Sequence, residues 1–267
     1  MQKYLSIFKI SLQGEIAYKM NFIMWRVRNV IQILIIYFLW SNIFFDSQVS
    51  ILGYNRSSIL TYVFGIILIR AFVFSARSVD VPTEISMGDL SNYLLKPVKY
   101  FYYWFTRDLA SKILNFSFSI GEFLILFLIF QPELFIQQNM VYIILFLISI
   151  INANYLLFII RFLVTSITFK IPEMAWGGQF LFMVIITEFL SGAVFPLDIF
   201  PAIWQKIFYL TPFPYLIFFP LQIYLAKLTL VTATSGVLIS ILWSFILTIL
   251  LKTLWAKGLK LYSSEGR

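Results

Sequence analysis

The reading of this chain turns on "SGAVFPLDIFP", residues 191–201. A long apolar segment runs into it and meets Pro196, Asp198 and Pro201. The chain then resumes as "AIWQKIFYLTPFPYLIFFPLQIYL", residues 202–225. A solvated loop would be polar throughout. A membrane span would not be cut by prolines, each of which lacks an N–H and clashes with the preceding helical turn.

The rest of the chain gives the setting. Of 267 residues, 61% are hydrophobic and 12% charged, and the mean hydropathy is +0.89. No soluble core needs that much apolar surface, and several apolar runs approach the roughly 20 residues that cross a bilayer as a helix. The sequence therefore predicts an all-α, polytopic integral membrane protein forming a single domain over residues 1–267. The opening stretch carries Lys3, Lys9, Glu15 and Lys19, without the unbroken apolar core of a signal peptide, so the N-terminus is expected to be retained. Cys and His are both absent. Disulfides, thiolate chemistry, the commonest zinc ligands and the usual near-neutral general base are thereby excluded. The net charge of +8 flanks apolar spans instead of striping a soluble face, which argues for a membrane and against nucleic acid.

Six spans are predicted, at residues 30–45, 59–74, 113–130, 141–164, 175–194 and 237–255. With the N-terminus inside, 17 of the 20 Lys and Arg fall on the cytoplasmic side, Arg267 among them, leaving Arg56, Lys206 and Lys227 outside. That asymmetry sets the orientation. It also answers the opening question by parity, because a seventh span at 199–225 would put the basic C-terminus outside. Residues 195–228 are therefore expected not to cross. Pro212 divides them into two pieces too short to span, forming either a helical hairpin that dips into the outer leaflet or an amphipathic loop lying flat on it.

Residues 1–21 read as an amphipathic interfacial helix, with Leu5, Phe8, Leu12 and Ile16 at helical spacing. Between spans two and three, residues 75–108 include Pro82, Thr83 and Glu84 as a helix start and Gly88 and Pro97 as interruptions. Ile85, Leu90, Leu94 and Leu95 are expected to bury against something, with Glu84 and Asp89 available for ion pairs. Tyr100 to Phe105 read as an interfacial aromatic belt. Arg70, Glu122 and Glu188 are charges placed inside spans. Arg70 and Glu122 come out at one level, roughly 15–17 Å deep at 1.5 Å per residue, and are expected to pair. Nothing matches the phosphate-cradling GxxxxGK[ST] pattern, since Gly177 and Gly178 in "WGGQF" lack its lysine and hydroxyl.

This layout, with "GDLSNYLLKP" at 88–97, "FLSGAVFPLDIFP" at 189–201 and "LTPFPYLIFFPLQIYL" at 210–225, resembles the bacterial type 2 ABC exporter permeases, in the branch of small permeases with a separate ATPase. The resemblance covers nearly the whole chain. It implies two permease subunits, identical or homologous, on two ABC ATPase subunits that bind the ATP and Mg, with no cofactor in this chain. It implies a multi-pass protein of the bacterial inner (plasma) membrane, in contact with membrane lipid and with both termini cytoplasmic. Carried over by position, Glu84, Ile85, Met87, Gly88, Asp89, Leu90, Tyr93 and Leu94 would form the coupling helix that docks on the ATPase. Phe195, Pro196, Asp198, Pro201, Pro212 and Pro214 would belong to an extracellular gate. A membrane-embedded enzyme acting on lipid and a membrane assembly factor are the competing readings. The 12 acids, without His or Cys, offer neither a catalytic constellation nor a metal cluster to the first, and a scaffold has no use for the proline-cut segment.

Overall fold

The computed structural model describes residues 2–17, 19–45, 50–51 and 53–262. Arg267 and the side chain of Ile16 lie outside what is described. Helices dominate, and the described residues contain no strand beyond one bridge between Ile51 and Tyr54. In chain order the helices are α1 (Gln2–Ala17), α2 (Lys19–Ile43), α3 (Arg56–Val73), the short α4 (Val81–Ser86) and α5 (Leu90–Leu94), α6 (Tyr100–Phe130), α7 (Met140–Thr165), α8 (Met174–Leu190), α9 (Ala202–Tyr209), α10 (Phe218–Tyr224) and α11 (Leu230–Leu261). Five of them, α2, α3, α6, α7 and α11, are long and apolar enough to cross a membrane.

Five of the six expected spans are present with shifted ends. α2 begins eleven residues before the predicted span because Arg26 and Arg28, which break the apolar window, continue the helix. α6 begins thirteen residues early, taking in Asp108 and Lys112, which the bundle satisfies internally. Asp108 accepts from the backbone N–H groups of Arg77 and Ser78, each at 2.7 Å. Lys112 caps α3 by donating to the carbonyls of Phe72 and Val73 at 3.2 and 2.7 Å. α8 has 17 residues, or roughly 26 Å, and falls short of a full crossing by its own length. Residues 180–187 within it are a π-helix, whose wide turns bring Met183 and Glu188, five apart, to one side; in an α-helix they would diverge by roughly 140°.

α3 is the most buried of the spans, with apolar residues enclosed on all its faces from Ile59 to Val73. Its start is fixed by a reciprocal cap in which Asn55 Oδ1 accepts from the Ser58 N–H and Ser58 Oγ accepts from the Asn55 N–H. α11 packs along α7, and Ala233, Gly236, Ser240, Ser244, Leu247, Leu251, Trp255 and Gly258 are buried along it as a stripe at three- and four-residue spacing. Small residues let the two backbones approach, and Asn152 on α7 bonds Ser240 and Ser244 across the seam, each at 3.0 Å. Outward faces stay apolar, as at Ile125, Leu128 and Ile129 of α6 and Leu238, Leu242 and Phe245 of α11, which suits lipid contact.

The proline-cut segment makes two short helices with different surroundings. α10 is buried along its length, and its apolar side chains enter dents left by glycines on two spans. A Cβ on Gly65 of α3 would lie 2.4 Å from Leu221, and one on Gly236 of α11 would lie 2.1 Å from the Phe219 ring. α9 instead exposes Ile203, Trp204 and Ile207. α10 is thus enclosed by the bundle, while α9 buries Phe208 and keeps its other apolar face exposed.

α1 packs on α6, with Glu15 buried, Tyr4, Ile7, Phe8, Ser11 and Leu12 half-buried and Leu5 outward. One further expectation, the interfacial aromatic belt, is corrected. The aromatic run after Pro97 is largely internal. Tyr100 and Trp104 are buried, and Tyr100 stacks on Trp255 with centroids 5.6 Å apart, because α6 is enclosed there by α7 and α11. Tyr102 alone of that pair of turns is well exposed.

Candidate functional site

α1, α2, α3, α6, α7 and α8 bring charged side chains to a single cavity of about 480 Å³, at the end of the bundle where α3 and α7 finish and α2 and α6 begin. Arg26 pairs with Glu122 at 2.5 Å and Arg70 with Glu188 at 2.6 Å, while Arg77 pairs with Glu15. The expected Arg70–Glu122 pair is therefore not made. Counting residues along a span gives depth but not azimuth. The two groups do line one cavity, but each meets an acid or base on a different helix. Arg26, assigned from sequence to the segment before the first span, lies inside α2. Arg161, near the end of the fourth expected span, lies in α7 with 6% of its surface exposed and donates to the Phe74 carbonyl.

The segment between α3 and α6 folds back as a tip. Ile85 and Leu90 bury as expected, and Gly88 turns the chain between α4 and α5 with φ of +81°, a region closed to most side chains. The tip is braced by Tyr262, whose hydroxyl donates to the Gly88 carbonyl and accepts from the Ser91 N–H at 3.1 Å. Tyr93 lies half-buried against Tyr100 and Trp104. Glu84 is not available for an outside ion pair, because it accepts from the Tyr100 hydroxyl at 3.0 Å. Burial pushes its carboxyl above the usual carboxylate range, against the opposing hydrogen bonds of Tyr100 and Tyr93 and the nearby Arg107. Leu94 and Leu95 remain outside. Leu95 is 87% exposed, Met87 67% and Leu94 49%, and with the exposed Asp89 they form an apolar tip bearing one acid.

At the other end, Asp198 gathers the segment after α8. Its Oδ2 accepts from Tyr54 Oη at 2.9 Å, Lys227 Nζ at 3.0 Å and Gln222 Nε2 at 3.1 Å. The Lys227 ammonium sits 3.0 Å from the Tyr54 ring centre, and Tyr62 donates to the Gly192 carbonyl at 2.7 Å. Burial lowers the Lys227 pKa and Asp198 opposes that shift. Pro196 and Pro214 are buried, Pro212 is half-buried, and Phe195 and Pro201 are exposed. This polar knot ties α10 to the start of α3. Tyr54, Gln222 and Lys227 escaped the sequence reading, although a Gln and a Lys just inside and after an otherwise apolar run were the available signal.

A shell of lipid-facing helices around a charged interior cavity, with a braced tip at one end and a knotted segment at the other, defines a multi-pass membrane protein of transporter type. The chain belongs to the ABC-2 family transporter proteins, whose family model matches residues 30–266. We found no match to it among curated proteins.

Proposed function

We propose that this chain is the permease subunit of an ATP-driven exporter in the bacterial inner membrane, working with a separate ABC ATPase. The observation that carries the proposal is the tip. Met87, Leu94 and Leu95 expose apolar surface around Asp89 on a base fixed by Ile85, Leu90 and Tyr262, and such a rigid apolar knob suits the groove of a partner. Family membership supplies the partner's class, since permeases of this kind generally work with an ABC ATPase. In this reading Met87, Gly88, Asp89, Leu90 and Leu94 are the coupling surface, with Glu84, Ile85 and Tyr93 as its support. α8 counts as a crossing completed by residues 191–194, giving six spans with both termini cytoplasmic and α1 as an interfacial elbow. Residues 195–228 form the outer gate, α10 dipping into the bundle and α9 lying over it. Two permeases, identical or homologous, pair on two ATPases. ATP binding closes the ATPases, and the tip transmits that closure through α3 and α6.

The test is co-purification with a candidate ABC ATPase subunit co-expressed with this chain. Met87→Asp with Leu95→Asp should leave a monodisperse permease that no longer retains the ATPase. Retention equal to the parent would overturn the assignment of the tip.

A further inference from the structure

The cavity holds more positive charge than its own acids neutralise. Five arginines line it, Arg26, Arg28, Arg70, Arg77 and Arg161, against Glu15, Glu122 and Glu188. Three ion pairs consume all three acids. Arg28 and Arg161 form no ion pair among the described residues, although Asp108, outside the cavity lining, lies within electrostatic reach of Arg161. Arg161 is the telling one, since it is 94% buried and yet its Nε and Nη1 have no hydrogen-bond partner, the Phe74 carbonyl engaging Nη2 alone. A buried guanidinium with unused donors is costly in general and persists where something else completes it. Arg28 stands at the exposed edge, 4.1 Å above the Trp25 ring. Arg28 is an electrostatic neighbour of Arg70, and Arg161 of Asp108 and then of Glu188, so the two guanidiniums that form no ion pair flank the Arg70–Glu188 pair.

We propose that this cavity is the permease's anion seat, binding a phosphate group of its ligand with Arg161 as the buried donor and Arg28 at the mouth. Two guanidiniums outside any ion pair match a phosphomonoester dianion better than a single carboxylate, and arginine's delocalised charge and planar donors suit phosphate oxygens. The same lining offers Phe22, Trp25, Ile33 and Ile67 beside the cations, so a phosphate carried on an acyl chain would have apolar wall to lie against. The chemistry is shared by a lipid headgroup and by free phosphate. The proposal deepens the permease reading by naming the class of ligand that its interior takes.

The experiment uses the full-length chain in neutral-lipid nanodiscs without ATP, titrated with short-chain phosphatidic acid, with diacylglycerol of the same chains, and with inorganic phosphate. Binding is read by microscale thermophoresis. Phosphatidic acid should bind and diacylglycerol should not, and competition by inorganic phosphate would show that the phosphate alone suffices. Arg28→Gln, at an exposed position where folding is safe, and Arg161→Gln should each weaken binding by about tenfold or more, whereas Lys257→Gln, on the exposed face of α11, should leave it unchanged. Arg161→Lys serves if the Gln variant does not fold, and should also bind more weakly. Equal binding of diacylglycerol, or undiminished affinity in Arg28→Gln together with a folded Arg161 variant, overturns the site. Since no ATPase is present, anion binding with failed ATPase retention would sink the permease reading alone, and retention without anion binding would sink the seat alone.

Discussion

Single residues here do the work of joining helices across a medium in which unpaired charge is expensive. Removing one partner of the Arg70–Glu188 pair strands the other, which costs about 3–5 kcal/mol, whereas replacing both with apolar groups of similar volume recovers much of it. Glu188→Gln should therefore lower the melting temperature of the detergent-solubilised chain sharply, and Arg70→Met with Glu188→Met should restore it. Changes at Arg70 and Glu122 should instead be additive, because these two belong to different pairs, and a coupling energy between them above about 0.5 kcal/mol would contradict the arrangement. Glu84 behaves differently. Its carboxyl is raised by burial, so the folded chain holds that proton more tightly than the unfolded one. Its contribution to stability is therefore greatest at low pH and declines as pH rises through the ordinary carboxylate range toward the raised value. Glu84→Gln, which keeps an acceptor for Tyr100, should flatten that slope and be at least as stable as the parent at pH 7. A parent that melts higher at pH 7 would show that the charge itself is wanted there.

At the scale of elements, the segment after α8 explains how a run this apolar can stop without leaving the protein. α10 is only seven residues long and could not persist alone in lipid. It persists because Gly65 and Gly236 admit Leu221 and Phe219, and because Gln222 and Lys227 meet Asp198. α9 has no such partners on its outward face. In this Cys-free chain, cysteines at Ile203 and Lys206 should react with an impermeant maleimide applied to intact cells, a cysteine at Leu221 should not, and one at Lys257 should react only after permeabilisation. Labelling at Lys257 from outside would mean an odd number of crossings, with α8 failing to traverse.

Across the whole molecule, one end carries the exposed apolar tip and the arginine-rich cavity, and the other carries the Asp198 knot, with α3 and α6 running between them. The chain has no phosphate-cradling loop, so the purified protein should hydrolyse no ATP until the ATPase is added. Azide-insensitive turnover by the isolated chain that tracks with it through every purification step would overturn that division of labour. The amino-acid sequence by itself determined the membrane class, five spans to within a turn or a few, the helix start at Pro82 and the presence of charge within the bundle. Those follow from local quantities: apolar length, proline's missing N–H and the cost of charge in lipid. Only the tertiary structure decided that Glu122 meets Arg26 and Arg70 meets Glu188, that Arg161 is buried with donors unused, that Glu84 faces inward, and that α10 is enclosed while α9 is not. Each of those depends on the rotation of one helix about its axis relative to its neighbours, a quantity that a uniformly apolar helix such as α3 leaves unmarked and that packing alone fixes.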